Sequence, residues 1–321
     1  MRARLHLLAL WLGLFGLVGV WVSVTQARRE SLPTGRPHTL HHGGIKRTYH
    51  LHVPECAAAP PWPVVIALHG GGGASAEEME RRFGFARLGN REGFLTVYPA
   101  GVNGQWNDGR GKTFRRAQDN TDVDDVGFIR TLIEHLVKTG QADPDRVYVT
   151  GFSNGGMMTY RLGIELGDRL AAIAAGIANL PTNLRNRTPV RALPVLIMNG
   201  TDDPMVPWQG GDVRVLGRAY GTVLSTQETV DFWRAAARLP TQPTVERLPD
   251  RVPSDQCQVE VRRWTERAAA PEVVLYAILG GGHQIPGGAT PKAPRLVGKQ
   301  CMDIQATEVI WTFFAQHRRS R

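Results

Sequence analysis

Residues 147–160 read VYVTGFSNGGMMTY. Four strand-forming residues run into Gly151 and Phe152. Ser153 follows, then Asn154, Gly155 and Gly156, and the pattern changes at once to helical spacing. The chain holds seven Ser among 321 residues, so one lodged in so tight a turn invites a functional reading. A strand that reverses sharply into a helix holds its apex residue in a strained conformation, with the side chain standing clear of the C-terminal edge of the sheet. Small residues two before and two after the apex avoid a clash of Cβ with strand or helix, which gives the pattern Gly151-Phe152-Ser153-Asn154-Gly155. The helix N-terminus behind Ser153 favours negative charge developing nearby. Ser153 is therefore the candidate nucleophile.

The flanking segments set the fold class. PVVIALHGGGG, GFLTVYPA, AAIAAGIANL, LPVLIMNG and EVVLYAILGGG are short apolar runs that end in turns. Between them lie helical patterns, such as DVDDVGFIRTLIEHLVKTG, with Val126, Ile129, Ile133 and Leu136 at helical spacing and acids in its first turn. Strands alternating with helices predict an α/β fold with a mostly parallel central sheet covered by helices on both faces. There is no internal repeat, and residues 45–317 are expected to form one catalytic domain, preceded by a flexible tether over residues 28–44.

A serine hydroxyl needs a base, and the base needs an orienting acid. On this type of fold they follow in the chain order Ser, Asp, His. NGTDDPMVPW supplies Asp202 and Asp203 just past a strand, and Asp203, which precedes Pro204, is the favoured acid. LYAILGGGHQIPGG supplies His283 among glycines; His317, in a terminal helix, is the other downstream histidine. Backbone N–H groups must face the oxygen that becomes charged during acyl transfer. The expected donors are Asn154, next to Ser153, and Gly71 in the glycine loop after an early strand. Asp124 and Asp125 read as structural acids at a helix start.

Composition excludes several other classes. The chain is 42% hydrophobic and 21% charged, with 36 Gly, 21 Pro and a formal net charge of +9. Its basic residues are mostly arginine, scattered singly and in pairs such as Arg81-Arg82, with no basic run interleaved with aromatics and no zinc-finger or RNA-binding pattern, so no nucleic-acid partner is expected. No HExxH or paired CxxC is present, and neither metal nor other cofactor is expected. The N-terminus carries Arg2 and Arg4 and then an apolar run from Leu5 to Val24, with Thr25-Gln26-Ala27 as a small-residue cleavage site. Residues 1–27 read as a signal peptide, which predicts a secreted or periplasmic protein. The run is also long enough to anchor the chain in a membrane if uncleaved. Export makes Cys56, Cys257 and Cys301 candidates for disulfide chemistry, with Cys257 and Cys301 the favoured pair.

HGGGG, WNDGR, VDDVGFI, DPDRVYVTGFSNGGMMTYRL, NGTDDPMVPWQGG and GGGHQIPGG together resemble the secreted poly(3-hydroxybutyrate) depolymerase and feruloyl esterase group of α/β-hydrolases, over roughly residues 45–316. The resemblance implies a serine esterase that cuts small or polymeric carboxylic esters through an acyl-enzyme. Ser153, Asp203 and His283 occupy the positions of the family's triad. The family's histidine loop usually continues Thr-Trp-Pro-Gly, whereas this chain has Gln284-Ile285-Pro286-Gly287. With that aromatic wall missing, Trp106 and Trp208 are the candidate substrate-stacking surfaces. The competing reading is an exported, non-catalytic polymer-binding or adhesion module that keeps the fold.

Overall fold

The computed structural model describes residues 32–56, 58–111, 122–266, 271–289 and 294–319. Residues 1–27, read as a signal peptide, lie outside them. Residues 33–321 form one compact unit. Its strands are β1 (Arg36–His42), β2 (Ile45–His52), β3 (Trp62–Leu68), β4 (Leu95–Pro99), β5 (Ala142–Phe152), β6 (Ala172–Gly176), β7 (Val195–Gly200), β8 (Gly211–Val215), β9 (Arg218–Val223), β10 (Thr244–Arg247), β11 (Gln258–Trp264) and β12 (Val273–Leu279). The helices are α1 (Ala76–Phe83), α2 (Phe85–Glu92), α3 (Asp125–Lys138), α4 (Asn154–Glu165), α5 (Thr226–Ala236), α6 (Pro294–Val297) and α7 (Ala306–Ala315).

Ten strands form one sheet in the order β1-β2-β4-β3-β5-β6-β7-β12-β11-β10. The six from β4 to β12 are mutually parallel, and antiparallel pairs close both edges. The expected α/β architecture is therefore present. Alternation along each strand divides the core in two, because successive side chains leave a strand on opposite faces. Val64, Ile66 and Leu68 of β3 pack with Phe128, Met157, Tyr160 and Trp233 of α3, α4 and α5. Val65 and Ala67 pack on the other face with Met79, Phe85, Ile310 and Phe314 of α1, α2 and α7. Central strands buried on both faces explain the unbroken apolar runs in the sequence.

One expectation fails here. Residues 28–44 were expected to be a tether, yet Arg36–His42 pairs residue for residue with β2 from Arg36↔Leu51 to His42↔Ile45. The connection is Gly43-Gly44, both at positive φ (57° and 74°), which is the backbone a tight two-residue hairpin requires. A mostly exposed edge strand carries little apolar alternation, so its pairing was hidden among Arg, His and Pro.

The last strand and last helix are tied through the buried side chain of Glu272. Glu272, just before β12, accepts from Arg263 of β11 and bonds His317 Nε2 at 3.2 Å beyond α7. Burial alone would raise its carboxyl pKa, but the His317 and Arg263 contacts outweigh that and hold it below the ordinary carboxylate value. A depressed native pKa adds stability that is present above the unfolded carboxylate pKa and is lost as pH falls through the native one. Glu272→Gln is expected to cost roughly 2 kcal/mol at neutral pH. The difference from wild type should shrink below about pH 4, where the wild-type carboxylate also becomes neutral. Thermal unfolding of both proteins from pH 3 to 8 checks this, and a pH-independent difference would contradict it.

Candidate active site

Ser153, Asp203 and His283 follow β5, β7 and β12, at the C-terminal ends of strands separated only by β6 and by each other. That edge of an open parallel sheet is where ligand crevices form. Ser153 has φ 56° and ψ −123°, a strained backbone for a residue with a Cβ. The strain is imposed by packing. A Cβ on Gly151 would come within 2.4 Å of Gly155 O, and one on Gly155 within 2.5 Å of both Leu68 O and His69 O. Both glycines of the sequence pattern are thus required sterically. Ser153 N donates to Gly176 O at 3.0 Å, which stitches the turn to the end of β6.

The acid and histidine turns are packed directly together. A Cβ on Gly200 would lie 2.2 Å from Gly281 O, and Asp202 N donates to that same carbonyl at 2.9 Å. The histidine loop is also fastened by His283 N to Val297 O (2.6 Å) and Gly282 N to Lys299 O (2.9 Å). The result is one continuous hydrogen-bonded line. His283 Nδ1 meets Asp203 Oδ2 at 2.8 Å, and Nε2 meets Ser153 Oγ at 3.1 Å. Asp203 is buried, and its Oδ1 accepts from Met205 N and Val206 N, each at 2.8 Å. These two donors hold the carboxylate aimed at the imidazole. With Nδ1–H donating to a carboxylate, Nε2 is the free base that can accept a hydroxyl proton.

Asp202, by contrast, is exposed, and its Oδ1 accepts from Thr201 Oγ1 at 3.0 Å. His317 is occupied by Glu272. Asp124 caps α3 by accepting from Gly127 N, and Asp125 is fully buried against Arg47 (2.7 Å) and Asn107 N (2.7 Å). Both acids are structural, as their place in the sequence suggested.

A cavity of about 480 Å³ opens beside Ser153. Its floor includes Gly70, Gly71, Asn154 and His283, and its apolar wall includes Met79 and Phe83 of α1, Phe152, Ile177, Val213 and Val215 of β8, and Ile285, while Arg81, Arg82, Arg110 and Gln300 add a polar side. Gly71 and Asn154, the expected oxyanion donors, thus both face the cavity. The two tryptophans do not. Trp106 is 1% exposed, lies beneath the glycine loop with its ring 4.9 Å from that of His69, and donates through Nε1 to His69 O. It has no free face for a substrate. Trp208 is half-buried against the core on the α4 and α5 side, and does not line the cavity. Residues from α1 and the β8–β9 hairpin, which sequence reading passed over, form the walls instead. An alternating apolar pattern in GDVRV was the available signal.

The cysteines are free, so the expected Cys257–Cys301 bridge is not formed. Burial, reinforced by Asp255, pushes the Cys257 thiol up to about 11. Burial first, then Asp303 and Cys257, pushes Cys301 up to about 12. Neither is a thiolate nucleophile at neutral pH. Among the described residues, Asp255, Cys301 and Asp303 are the His, Cys, Asp and Glu side chains grouped closely enough to hold a metal ion, and none lines the cavity. No described helix is long and apolar enough to cross a membrane.

Comparison with known proteins agrees with this geometry. The phospholipase/carboxylesterase family model matches residues 52–215. NocK of Nocardia uniformis subsp. tsuyamanensis, named as an esterase, is 34% identical over 267 residues, covering 79% of this chain and 75% of NocK. Feruloyl esterase B of Piromyces equi is 27% identical over 65% of this chain, which spans only 37% of that longer protein. Poly(3-hydroxyalkanoate) depolymerase C of Paucimonas lemoignei is 27% identical over 78% of this chain and 60% of its own length. The solved acetyl xylan esterase from Aspergillus awamori superposes with a TM-score of 0.57 over 88% of this chain and all of its own, at 15% identity, a likeness of fold alone. The chain belongs to the phospholipase/carboxylesterase family of α/β-hydrolases and is a carboxylic ester hydrolase.

Proposed function

We propose that Ser153 attacks the ester carbonyl to form an acyl-enzyme. His283 takes the hydroxyl proton through Nε2 and returns it to the leaving alcohol, and Asp203 holds the imidazole in the tautomer that leaves Nε2 free. The Gly71 and Asn154 N–H groups then receive the oxyanion. Water repeats the sequence to release the acid. The unbroken hydrogen-bond line from Asp203 through His283 to Ser153 carries this reading. A non-catalytic binding module would have no use for it.

The substrate reading rests on the cavity. About 480 Å³ with walls of Met79, Phe83, Phe152, Ile177 and Ile285 suits an acyl group of modest size with an apolar or aromatic face. Such a recess cannot grip a crystalline surface. We therefore favour short acyl and hydroxycinnamoyl or acetyl carbohydrate esters over solid polyester. The relatives named as feruloyl esterase and depolymerase span both possibilities. Methyl ferulate, p-nitrophenyl acetate and a crystalline polyhydroxybutyrate suspension, offered to one preparation, decide between them. Clearing of the suspension without release of ferulate would overturn the preference.

Ser153→Ala is expected to lower turnover of p-nitrophenyl acetate by 10⁴-fold or more, because triad members act as a unit. Its melting temperature should not fall, since the strained turn is held by its glycines. Asp203→Asn should cost far more than Asp202→Asn, and equal small losses would mean that the orienting acid lies elsewhere. For localisation, the N-terminal reading proposes an exported enzyme cleaved after Ala27. Mass spectrometry of the secreted protein should find a chain that begins at or near Arg28; a full-length species confined to membranes would indicate an anchor.

A further inference from the structure

Both proposed oxyanion donors are backbone N–H groups, and a backbone donor is only as well aimed as the peptide that carries it. The Gly70–Gly71 peptide is aimed by its carbonyl. Gly70 O receives Gly73 N–H at 3.3 Å and lies 2.8 Å from His69 Nδ1. His69 Nε2 accepts from Gly101 N at 2.9 Å, so the ring proton must sit on Nδ1 and be donated to Gly70 O. His69 is 2% exposed, and burial holds its imidazole below the ordinary value, which keeps it in this neutral form. In a planar trans peptide C=O and N–H point in opposite directions. Fixing Gly70 O on His69 therefore turns Gly71 N–H away from His69, and Gly70, Gly71 and Ser153 all line the cavity while His69 does not. A Cβ on Gly70 would sit 3.6 Å from Ser153 Cβ, so the peptide runs directly alongside the nucleophile.

His69 is itself held by Trp106, whose Nε1 donates to His69 O at 3.0 Å while the two rings pack at 4.9 Å. Trp106 is held in turn by the side chain of Asn154. Its N–H donates to Asn154 Oδ1 at 2.9 Å, and Asn154 Nδ2 donates back to Trp106 O at 3.1 Å and to Asp108 Oδ2 at 2.6 Å. The backbone of Asn154 carries the second oxyanion donor. A closed path thus runs from one donor to the other through Asn154, Trp106, His69 and the Gly70 carbonyl.

We propose that Trp106 is a positioning residue, the strut that locks the two oxyanion donors at a fixed separation, and that its conformation governs turnover without touching substrate. This rests on the assignment of Ser153, Gly71 and Asn154 given above. Removing a whole oxyanion donor costs about 10²–10³ in rate, so loosening one should cost about 10–100-fold.

Trp106→Phe is the test, because it keeps an aromatic ring beneath His69 while deleting the Nε1 donor together with part of the ring volume, and the variant's melting temperature is measured alongside. The expected result is a 10–100-fold lower kcat on p-nitrophenyl acetate, with KM within about twofold. Affinity for a trifluoromethyl ketone, whose tetrahedral adduct needs the same two donors, should fall by the same factor. His69→Asn, which retains a donor near the Nδ1 position, should stay closer to wild type than His69→Leu. Wild-type enzyme labelled at Ser153 by a fluorophosphonate, with kcat unchanged in the Trp106→Phe variant, would overturn the strut and leave the nucleophile standing. A raised KM confined to aromatic esters, at constant kcat, would instead make Trp106 a substrate contact and also overturn it. Failure of the wild type to label at Ser153 would remove the catalytic assignment, and the strut with it.

Discussion

The constraint on which the site depends is the close approach of α4 to the end of β3. Gly155, two residues past the nucleophile candidate, lies against the carbonyls of Leu68 and His69 with no room for a single carbon. That contact sets how far the first turn of α4 can drop toward the sheet, and hence where Ser153 projects. It also brings the Gly70–Gly71 peptide beside Ser153, because the same β3 end that crowds Gly155 continues into the glycine loop. A residue with a Cβ at Gly155 would lift the helix, and the hydroxyl and the loop would separate together. The site is therefore not an assembly of independent parts. Position of the hydroxyl and position of its neighbouring donors follow from one steric limit.

Around that contact the structure places polar groups where a protein of this size would ordinarily place apolar ones. Asp108 is buried and takes hydrogen bonds from Asn154 and from Arg110, whose guanidinium also reaches Tyr220 O. Asp125 is buried with Arg47, and its other oxygen takes Asn107 N. Breaking one partner of a buried ion pair costs more than the pair contributes, since the remaining charge is stranded. The loop from Trp106 to Arg110 is therefore held on both sides by groups that cannot be lost singly. It links the glycine loop, the start of α4, the start of α3 and the β8–β9 hairpin. This gives a loop, ordinarily the most mobile kind of segment, the rigidity that a preorganised site needs.

Much of this was legible in the sequence, and the limit of legibility has a physical shape. Local rules carry a long way: apolar runs and helical spacing predicted the parallel sheet, and the glycine spacing about residue 153 marked the strained turn. Chain order then selected Asp203 and His283, which the fold brings to 2.8 Å. What failed were judgements about burial that depend on elements distant in sequence. Trp106 sits in a glycine-rich, polar stretch, where an aromatic reads as exposed; only the return of α4 and the glycine loop over it puts it inside. Trp208 looked like a wall because it follows the acid turn, but the chain at Gly210 turns into the β8–β9 hairpin, and Val213 and Val215 become the wall. The edge strand β1 escaped notice because main-chain pairing, not side-chain pattern, holds it.

These errors fall on one side of a division within the site itself. Its floor is largely main chain and glycine: the Gly70–Gly71 peptide, Asn154 and the strained Ser153, with the close-packed Gly200 and Gly281 joining the turns that carry the acid and the histidine. Such features need particular residues at particular spacings, because only glycine fits, and so they leave a mark in the sequence. The walls are side chains from α1, the β8–β9 hairpin and the histidine loop, where an apolar position accepts another apolar residue of similar volume at small cost. Here Ile285 stands in the histidine loop where the resembling family usually has tryptophan. Ile285 takes no part in the hydrogen bonds of the Asp203–His283–Ser153 line. The shape offered to the acyl group is changed. A floor that tolerates almost no substitution beneath walls that tolerate many is how one fold keeps a single reaction while its ester substrates differ.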